Sequence, residues 1–228
     1  MSTVVSGTQL HRITRFYDST IGKKAVMAVS GLILFGFLIA HMLGNLQFFL
    51  GREVMNHYAE TLHGNPALLW TVRIILLVSV ILHIWSSIEL TRLKKQARPV
   101  GYIKHGNVQA SVASRTMIWS GLVILVFVVF HLLHLTTGTV HPQFVPLNAY
   151  DNLIYGLRVV PVGLFYIVAM IFVGMHLSHG IWSMFQSVGF SHPKYTPVIK
   201  KFAAIFSWLL IAGFISIPIA ILAGIVVS

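Results

Sequence analysis

Long stretches without any charged side chain dominate this chain. Four of them cover residues 25–51, 116–150, 159–193 and 202–228, and a shorter one at 74–88 extends through amphipathic residues to about 67–93. About 20 consecutive apolar residues suffice for a helix to cross the hydrocarbon core of a bilayer. We therefore predict a single all-α membrane domain over residues 1–228, with five transmembrane helices at about 24–49, 67–93, 115–138, 159–188 and 202–227.

Composition and charge narrow the class of protein further. Only 9% of the residues are charged, whereas about a quarter are charged in a soluble protein, so a soluble globular domain is excluded. The chain has no cysteine, which excludes disulfides, iron–sulfur ligation and thiolate zinc sites and leaves histidine to hold any metal. The net charge of +11 comes from basic residues at the ends of the apolar stretches. This placement favours a membrane over nucleic acid as partner.

The same basic residues predict the orientation in the membrane, because cytoplasmic loops carry the excess of Lys and Arg beside transmembrane helices. Thirteen lie on one side of the predicted topology: Arg12, Arg15, Lys23, Lys24, Arg92, Lys94, Lys95, Arg98, Lys104, Arg115, Lys194, Lys200 and Lys201. Only Arg52, Arg73 and Arg158 lie on the other. We expect the N-terminus in the cytoplasm and the C-terminus outside. The first apolar run is too long for a cleaved signal peptide, so we expect it to be retained.

Six of the twelve histidines lie inside the predicted helices, where an ionisable side chain is costly and indicates a functional site. They are His41, His83, His131, His134, His176 and His179. The helical rise places His41 and His131 roughly 25 Å from the inner boundary, in the outer half of the membrane. It places His83, His176 and His179 roughly 14–20 Å from that boundary, in the inner half. A single histidine inside a helix could equally make an interhelical hydrogen bond. Here four helices together carry six histidines, which favours a functional site.

The depths predict one histidine pair at each of two levels, the outer from the first and third helices and the inner from the second and fourth. Two imidazoles per level match two bis-histidine hemes held by a four-helix bundle formed by the first four helices. Zinc fits less well because it prefers four tetrahedral ligands, and Glu89 is the one acid well inside a helix. Depth leaves both His176 and His179 open as the partner of His83, and slightly favours His179.

A repeated segment supports the heme interpretation. Its two copies are SGLILFGFLIAH at 30–41 and SGLVILVFVVFH at 120–131. Eleven residues make almost three helical turns, so Ser30 and Ser120 are expected on the same face of their helices as His41 and His131. They would lie one level closer to the cytoplasmic side than these histidines. Gly31 and Gly121 lack side chains near that face, which would let a flat macrocycle approach the backbone. Ordinary packing of small residues between helices explains these glycines equally well.

Further candidates lie on the predicted outer side. They are Glu53, His57, Glu60 and His63 in the first outer loop, and Arg73 and Arg158 near helix ends. The loop residues suit either a metal site or a solvated amphipathic turn, and the turn is the commoner case. As a functional role we favour a proton path through Glu60 and His57 to an outer quinone site. Arg73 and Arg158 are candidate partners of heme propionates, or anchors that reach the membrane surface.

Five motifs occur in order along nearly the whole chain. They are IGKKAVMAVSG at 21–31, HMLGNLQ at 41–47, HIW at 83–85, ARPVGY at 97–102 and HLSHGIWSMFQSVG at 176–189. As an ordered set they resemble the diheme cytochrome b anchor of succinate:quinone oxidoreductases, the complex II family of succinate dehydrogenases and fumarate reductases. The resemblance implies two heme b groups. It assigns His41 with His131 and His83 with His176 as axial ligands, which leaves His134 and His179 for the heme or quinone environment.

By the same resemblance, the chain lies in a prokaryotic cytoplasmic membrane and anchors a flavoprotein subunit and an iron–sulfur subunit at its basic inner face. It would pass electrons between those subunits and a membrane quinone, menaquinone in particular. The dicarboxylate chemistry would belong to the partner, because this chain has no dinucleotide-binding motif, so no catalytic residue is assigned here. The basic loops would suit anionic lipid equally well. Direction of catalysis and assembly into a higher oligomer stay open.

Two other classes of protein remain open from the sequence. A diheme cytochrome b of a hydrogenase or formate dehydrogenase would share the hemes and dock a different soluble partner. A proton-coupled transporter with histidine relays, or an anchor without heme, would show no heme absorption at all.

Overall fold

The computed structural model describes residues 16–97 and 111–226, and within these ranges the chain forms helices and no strands. The main helices are α1 (Thr20–Leu46), α2 (Arg52–His63), α3 (Pro66–Gln96), α4 (Met117–His131), α5 (Ala149–Arg158), α6 (Val160–Ser187) and α7 (Thr196–Leu222). A 3-10 turn at Gln47–Leu50 extends α1, a single turn at Val112–Arg115 precedes α4, and a π-helical turn at Leu132–Thr136 extends α4.

Among the described residues, five helical segments are long and apolar enough to cross a membrane, which confirms the predicted all-α membrane fold. They are Thr20–Leu50, Pro66–Gln96, Met117–Thr136, Val160–Ser187 and Thr196–Leu222. The last differs most from its predicted bounds of 202–227, because it admits two lysines near its start. One of them, Lys200, places its ammonium group 4.4 Å from the centre of the Trp182 ring, and long basic side chains near a helix end can reach water.

The short helices α2 and α5 occupy segments that the sequence assigned to loops, and they pack together at one end of the bundle. Asn56 links them: its amide group donates to Asn148 Oδ1 at 3.1 Å and its Oδ1 accepts the Tyr150 N–H at 3.0 Å. Arg52 pairs with Asp151 at 2.9 Å. We refer to this as the α2–α5 end of the bundle.

The opposite end, called the basic end below, collects most of the cationic side chains. Its members are Lys23, Lys24, Arg92, Lys94, Lys95, Arg115, Lys194, Lys200 and Lys201. The other four residues of the predicted basic group, Arg12, Arg15, Arg98 and Lys104, lie outside the described residues. Because successive spans run in opposite directions, most basic residues come together at one end of the bundle. The orientation prediction requires such an uneven distribution of charge between the two ends.

Helices α1, α3, α4 and α6 form a four-helix bundle. Helix α1 packs on α3, α4 packs on α6, and α1 also contacts α6, so that α1 faces α4 and α3 faces α6 across the interior. The fifth span, α7, packs along α6 and supplies no histidine. Large apolar side chains such as Trp70, Leu77 and Trp85 are more than half exposed on α3, which suits a helix with lipid as its solvent.

Candidate functional site

The first histidine pair joins α1 and α4 near the α2–α5 end. The ring centroids of His41 and His131 lie 5.8 Å apart and the ring planes are 80° from parallel. Phe37 stacks on His41 at 5.2 Å, and Phe127 stacks on His131 at 5.6 Å. Each phenylalanine precedes its histidine by four residues, and side chains at this spacing are neighbours on a helix. The repeated segment therefore places an aromatic ring against each imidazole of this α1/α4 pair.

The second pair joins α3 and α6 nearer the basic end. The rings of His83 and His176 have centroids 6.3 Å apart and planes 59° from parallel. The Nδ1 atom of His83 lies 3.3 Å from Ser30 Oγ, and the Nδ1 atom of His176 lies 3.1 Å from Ser120 Oγ. The structure thus brings His176 to His83 as the resemblance implies, whereas His179, slightly favoured by depth, takes no part in this ring contact.

The two pairs lie at different depths of the bundle. Ser30 contacts the second pair and precedes His41 of the first by eleven residues in the same helix. At about 1.5 Å per residue, the two levels are roughly 16 Å apart along α1. The serine of each repeated segment therefore lies one level away from its histidine, as predicted, and contacts the α3/α6 pair.

The glycines of the repeat lie against the imidazoles of this second pair. A Cβ atom built on Gly31 would lie 3.3 Å from His83 Cε1, and one built on Gly121 would lie 3.7 Å from His176 Cε1. The first distance is tighter than usual packing and the second is an ordinary contact. The missing side chains therefore make room for the imidazole edges. Whether they also admit a macrocycle stays a prediction.

The donor set and its spacing fit heme. Two imidazoles that share one metal through bonds of about 2.0–2.1 Å have ring centroids about 6 Å apart, close to both observed spacings. Two histidines leave a tetrahedral zinc site incomplete, whereas a porphyrin supplies four in-plane nitrogens and needs two axial ligands. Residues 16–97 and 111–226 contain no cluster of three or more His, Asp, Glu or Cys suited to a metal ion.

One further atom supports the fit at the level of the second pair. Ser86 follows His83 by three residues in α3 and is completely buried. Its hydroxyl has no hydrogen-bond partner among the described residues. A buried hydroxyl is normally paired, so this level retains a hydrogen-bonding group for a bound molecule.

A third cluster, not predicted as a unit, surrounds the π-helical turn that follows His131. There His134 is buried, and its Nδ1 lies 2.9 Å from the Tyr166 hydroxyl, which is 3.4 Å from His131 Nδ1. His141 stacks on His134 with centroids 4.9 Å apart. Sequence reasoning missed Tyr166, because a tyrosine within an apolar helix usually belongs to the core. It missed His141 because that residue lies in a predicted loop.

The protonation of His141 follows from its neighbours. Its Nδ1 accepts the Gln143 N–H at 3.2 Å, and its Nε2 lies 2.9 Å from the Asn152 carbonyl oxygen. A carbonyl can only accept, so in this arrangement Nε2 donates to Asn152 and Nδ1 accepts from Gln143. The Asn152 side chain in turn holds the loop, donating to the Val145 carbonyl at 2.7 Å and accepting the Val145 N–H at 2.9 Å.

An open pocket of about 490 Å³ lies beside α2 at the α2–α5 end. Its lining residues are Gln47, Glu53, Val54, His57, Tyr58 and Thr61. Of the two proposed proton-path residues, His57 lines the pocket and Glu60 is exposed beside it. His63 bonds through Nδ1 to the Ala59 carbonyl of its own helix at 2.8 Å. The four predicted loop candidates therefore do not converge on one point.

The two predicted propionate partners lie near the α2–α5 end, as expected. The guanidinium of Arg73 lies 5.2 Å from the ring centre of Trp70, one turn earlier in α3. Arg158 is exposed in the last turn of α5. Their roles toward a heme stay predictions.

Fold and site together define an all-α membrane protein whose four-helix bundle holds two facing histidine pairs at different depths. Comparison of the chain with protein-family models, curated proteins and solved structures finds no match. What the chain does is therefore inferred from its own residues.

Proposed function

We propose that the chain is the diheme cytochrome b anchor of a succinate:quinone oxidoreductase in a prokaryotic cytoplasmic membrane. The observation that carries this proposal is the pair of cross-bundle contacts, His41 with His131 and His83 with His176, at two levels roughly 16 Å apart by helical rise. This is the ligand set that the motif resemblance assigns. It is also a spacing that suits two imidazoles on one metal.

The chain's own residues perform the binding and orienting. His41 with His131, and His83 with His176, would hold one heme b per pair, and each heme would supply a one-electron couple. The rings of Phe37 and Phe127 stack on the first pair, and an apolar environment of this kind helps to set a heme's potential. Because the pairs lie at different depths, the chain has redox positions toward both membrane faces.

The pocket beside α2 is the proposed quinone site. It combines an apolar wall with groups that can hydrogen bond to quinone oxygens, namely Gln47, His57 and Tyr58. Reduction of a quinone takes up two protons, and Glu53 and His57 in the lining, with Glu60 nearby, are groups able to carry them. The pocket lies at the same end as the His41–His131 pair. An electron held at that pair would be on the quinone's side of the membrane.

The partners follow from the charge at the other end. The basic end would face the cytoplasm and bind a flavoprotein subunit and an iron–sulfur subunit, while lipid covers the exposed apolar faces. Another quinone-linked complex, a hydrogenase or formate dehydrogenase, would use the same hemes with a different soluble enzyme.

Purification of the chain with its natural neighbours, followed by a redox-titrated absorption spectrum, tests the proposal. We expect two low-spin, non-covalently bound b hemes per chain, because the chain has no cysteine for thioether attachment. We also expect succinate-dependent quinone reduction in the same preparation. A stoichiometry of one heme, or a high-spin spectrum, would contradict the paired ligands. Two hemes that co-purify with hydrogenase or formate dehydrogenase activity would instead identify the alternative complex.

A further inference from the structure

Ser30 and Ser120 each bond to a carbonyl of their own helix, as buried helical serines commonly do, and each also contacts a histidine of the α3/α6 pair. Ser30 donates its hydroxyl proton to the Val26 carbonyl at 2.7 Å, and Ser120 donates to the Met117 carbonyl at 3.0 Å. Each hydroxyl has a single proton. With that proton engaged in its own helix, each serine oxygen can only accept a bond from the histidine that faces it.

The facing atoms are Nδ1 of His83 and Nδ1 of His176. For His83 a second contact fixes the protonation, because Nδ1 also lies 3.2 Å from the Met27 carbonyl oxygen, and a carbonyl has no proton to give. Nδ1 of His83 therefore carries the hydrogen, and with the Ser120 proton engaged by the Met117 carbonyl we infer the same tautomer for His176. In this tautomer Nε2 keeps its free lone pair, the form that a metal requires.

The α1/α4 pair has only one contact of this kind among the described residues, and it is longer. His131 Nδ1 faces the Tyr166 hydroxyl at 3.4 Å, and that hydroxyl lies closer to His134 Nδ1, at 2.9 Å. No hydrogen bond of the His41 ring is found among the described residues. The two serines, by contrast, are 3% and 0% exposed, so water does not compete for their bonds to the α3/α6 pair.

We infer that Ser30 and Ser120 are positioning residues for the α3/α6 heme and lower its reduction potential, an inference that rests on the proposed heme-binding function. A hydrogen bond from Nδ1–H to an acceptor fixes the ring orientation and raises the basicity of the ligating nitrogen. A more basic ligand stabilises the oxidised iron over the reduced iron. Each helix of the repeat therefore serves both levels, with its histidine at one and its serine at the other.

Serine-to-alanine variants of the complete complex, titrated against potential, test this inference. In Ser30→Ala and Ser120→Ala we expect the α3/α6 component to shift to a more positive potential and the other component to stay in place. A tenfold change in the electron equilibrium corresponds to 59 mV, and we expect a shift of about that size or less for each serine. The component that disappears in His83→Ala identifies the α3/α6 heme.

Two further variants separate positioning from packing. Ser207→Ala removes another fully buried serine, whose one hydrogen bond to the described residues goes to the Ala203 carbonyl of its own helix at 2.6 Å, and it should shift neither potential. Ser30→Thr keeps a hydroxyl that can bind the same backbone carbonyl, and it should retain the wild-type potential.

Three results would overturn the inference. In the first, the wild type carries two hemes and both alanine variants keep the wild-type potentials. In the second, the potentials of both components shift equally. In the third, Ser207→Ala shifts a potential as much as Ser30→Ala does. In all three the proposed heme function would survive. Absence of heme from the wild-type complex would instead overturn the proposed function and this inference with it. Heme content measured in each preparation distinguishes these cases.

Discussion

Several polar side chains within or beside the spans are paired locally, and such pairing makes them less available for a functional role. Ser207 bonds to its own helix, Lys23 reaches the Tyr17 carbonyl at 3.2 Å, and His134 pairs with Tyr166. Such satisfied groups contribute to packing between helices. The four proposed ligands differ, because each also faces a second imidazole across the bundle.

Alanine substitution of each histidine tests this distinction. We expect His41→Ala and His131→Ala to remove the same heme, and His83→Ala and His176→Ala to remove the other, so that each variant keeps about half of the heme. His179→Ala should retain both hemes, since His179 lies outside the ring contact. Heme content per protein and the low-temperature absorption bands provide the measurement. Loss of the same spectral band in His41→Ala and His83→Ala would show that the pairing across the bundle is wrong.

Depth along a helix was enough to predict which helices face each other, because charge-free runs place each histidine to within about one turn. It was insufficient to choose between His176 and His179, which differ by less than one turn in depth and by about 60° in direction around α6. Direction depends on how α6 packs against α4 and α7, which sequence periodicity does not provide in a helix that is apolar on all sides. The role of Tyr166 was hidden for the same reason.

At the scale of helices, the spans could be predicted because they lack charge, whereas α2, α5 and the π-helical turn could not. Both short helices are polar on one side and depend on contacts with each other, such as the bonds of Asn56 to Asn148 and Tyr150. The π-helical turn at Leu132–Thr136 depends on the burial of His134 against residues far away in sequence. Such turns often occur at functional sites.

The packing of α7 on α6 leads to a prediction about stability that can be tested separately from heme binding. A Cβ atom at Gly174 would lie 2.9 Å from Trp208 Cζ3 and 3.1 Å from Ile211 Cγ1. Overpacking of this kind typically destabilises by about 1–3 kcal/mol, so we expect Gly174→Ala to lower the thermal unfolding temperature. Gly180→Ala in the same helix is the matched control, because no atom of the described residues beyond its chain neighbours and the adjacent backbone of its own helix lies within 4 Å of its Cβ position.

Heme content is determined in both glycine variants, because Gly174 and Gly180 lie in α6 within four residues of the proposed ligand His176. Unfolding followed by tryptophan fluorescence and heme absorbance compares them with the wild type. Equal unfolding temperatures in Gly174→Ala and Gly180→Ala would show that the α6–α7 contact is looser than it appears.

At the scale of the whole molecule, the absence of cysteine makes the orientation directly measurable. His63→Cys places a single thiol at the α2–α5 end, and Lys194→Cys places one at the basic end. The basic end should face the cytoplasm. A membrane-impermeant maleimide should therefore label His63→Cys in cells with an intact cytoplasmic membrane, and Lys194→Cys only after that membrane is opened. The reverse labelling pattern would invert the proposed topology.

The docking of soluble subunits gives the final prediction. Lys94 and Lys95 are exposed at the end of α3, and Arg98 and Lys104, outside the described residues, follow them closely in sequence. An acidic partner surface would be attracted to this cluster. Individual exposed ion pairs contribute only about 0–1 kcal/mol, and salt screens them over about 8–10 Å, so replacement of several charges is needed to detect their contribution.

We expect joint replacement of Lys94, Lys95, Arg98 and Lys104 by Gln to release the soluble subunits at lower salt than in the wild type, with both hemes retained. Arg92→Gln is the control, because Arg92 already pairs with Glu89 of its own helix at 3.0 Å and has less charge to offer a partner. The measurement is subunit retention and succinate-to-quinone activity across a salt series, with heme content determined in the same membranes. If the fourfold variant keeps its subunits at every salt concentration that the wild type tolerates, then the cluster determines topology and has no part in docking.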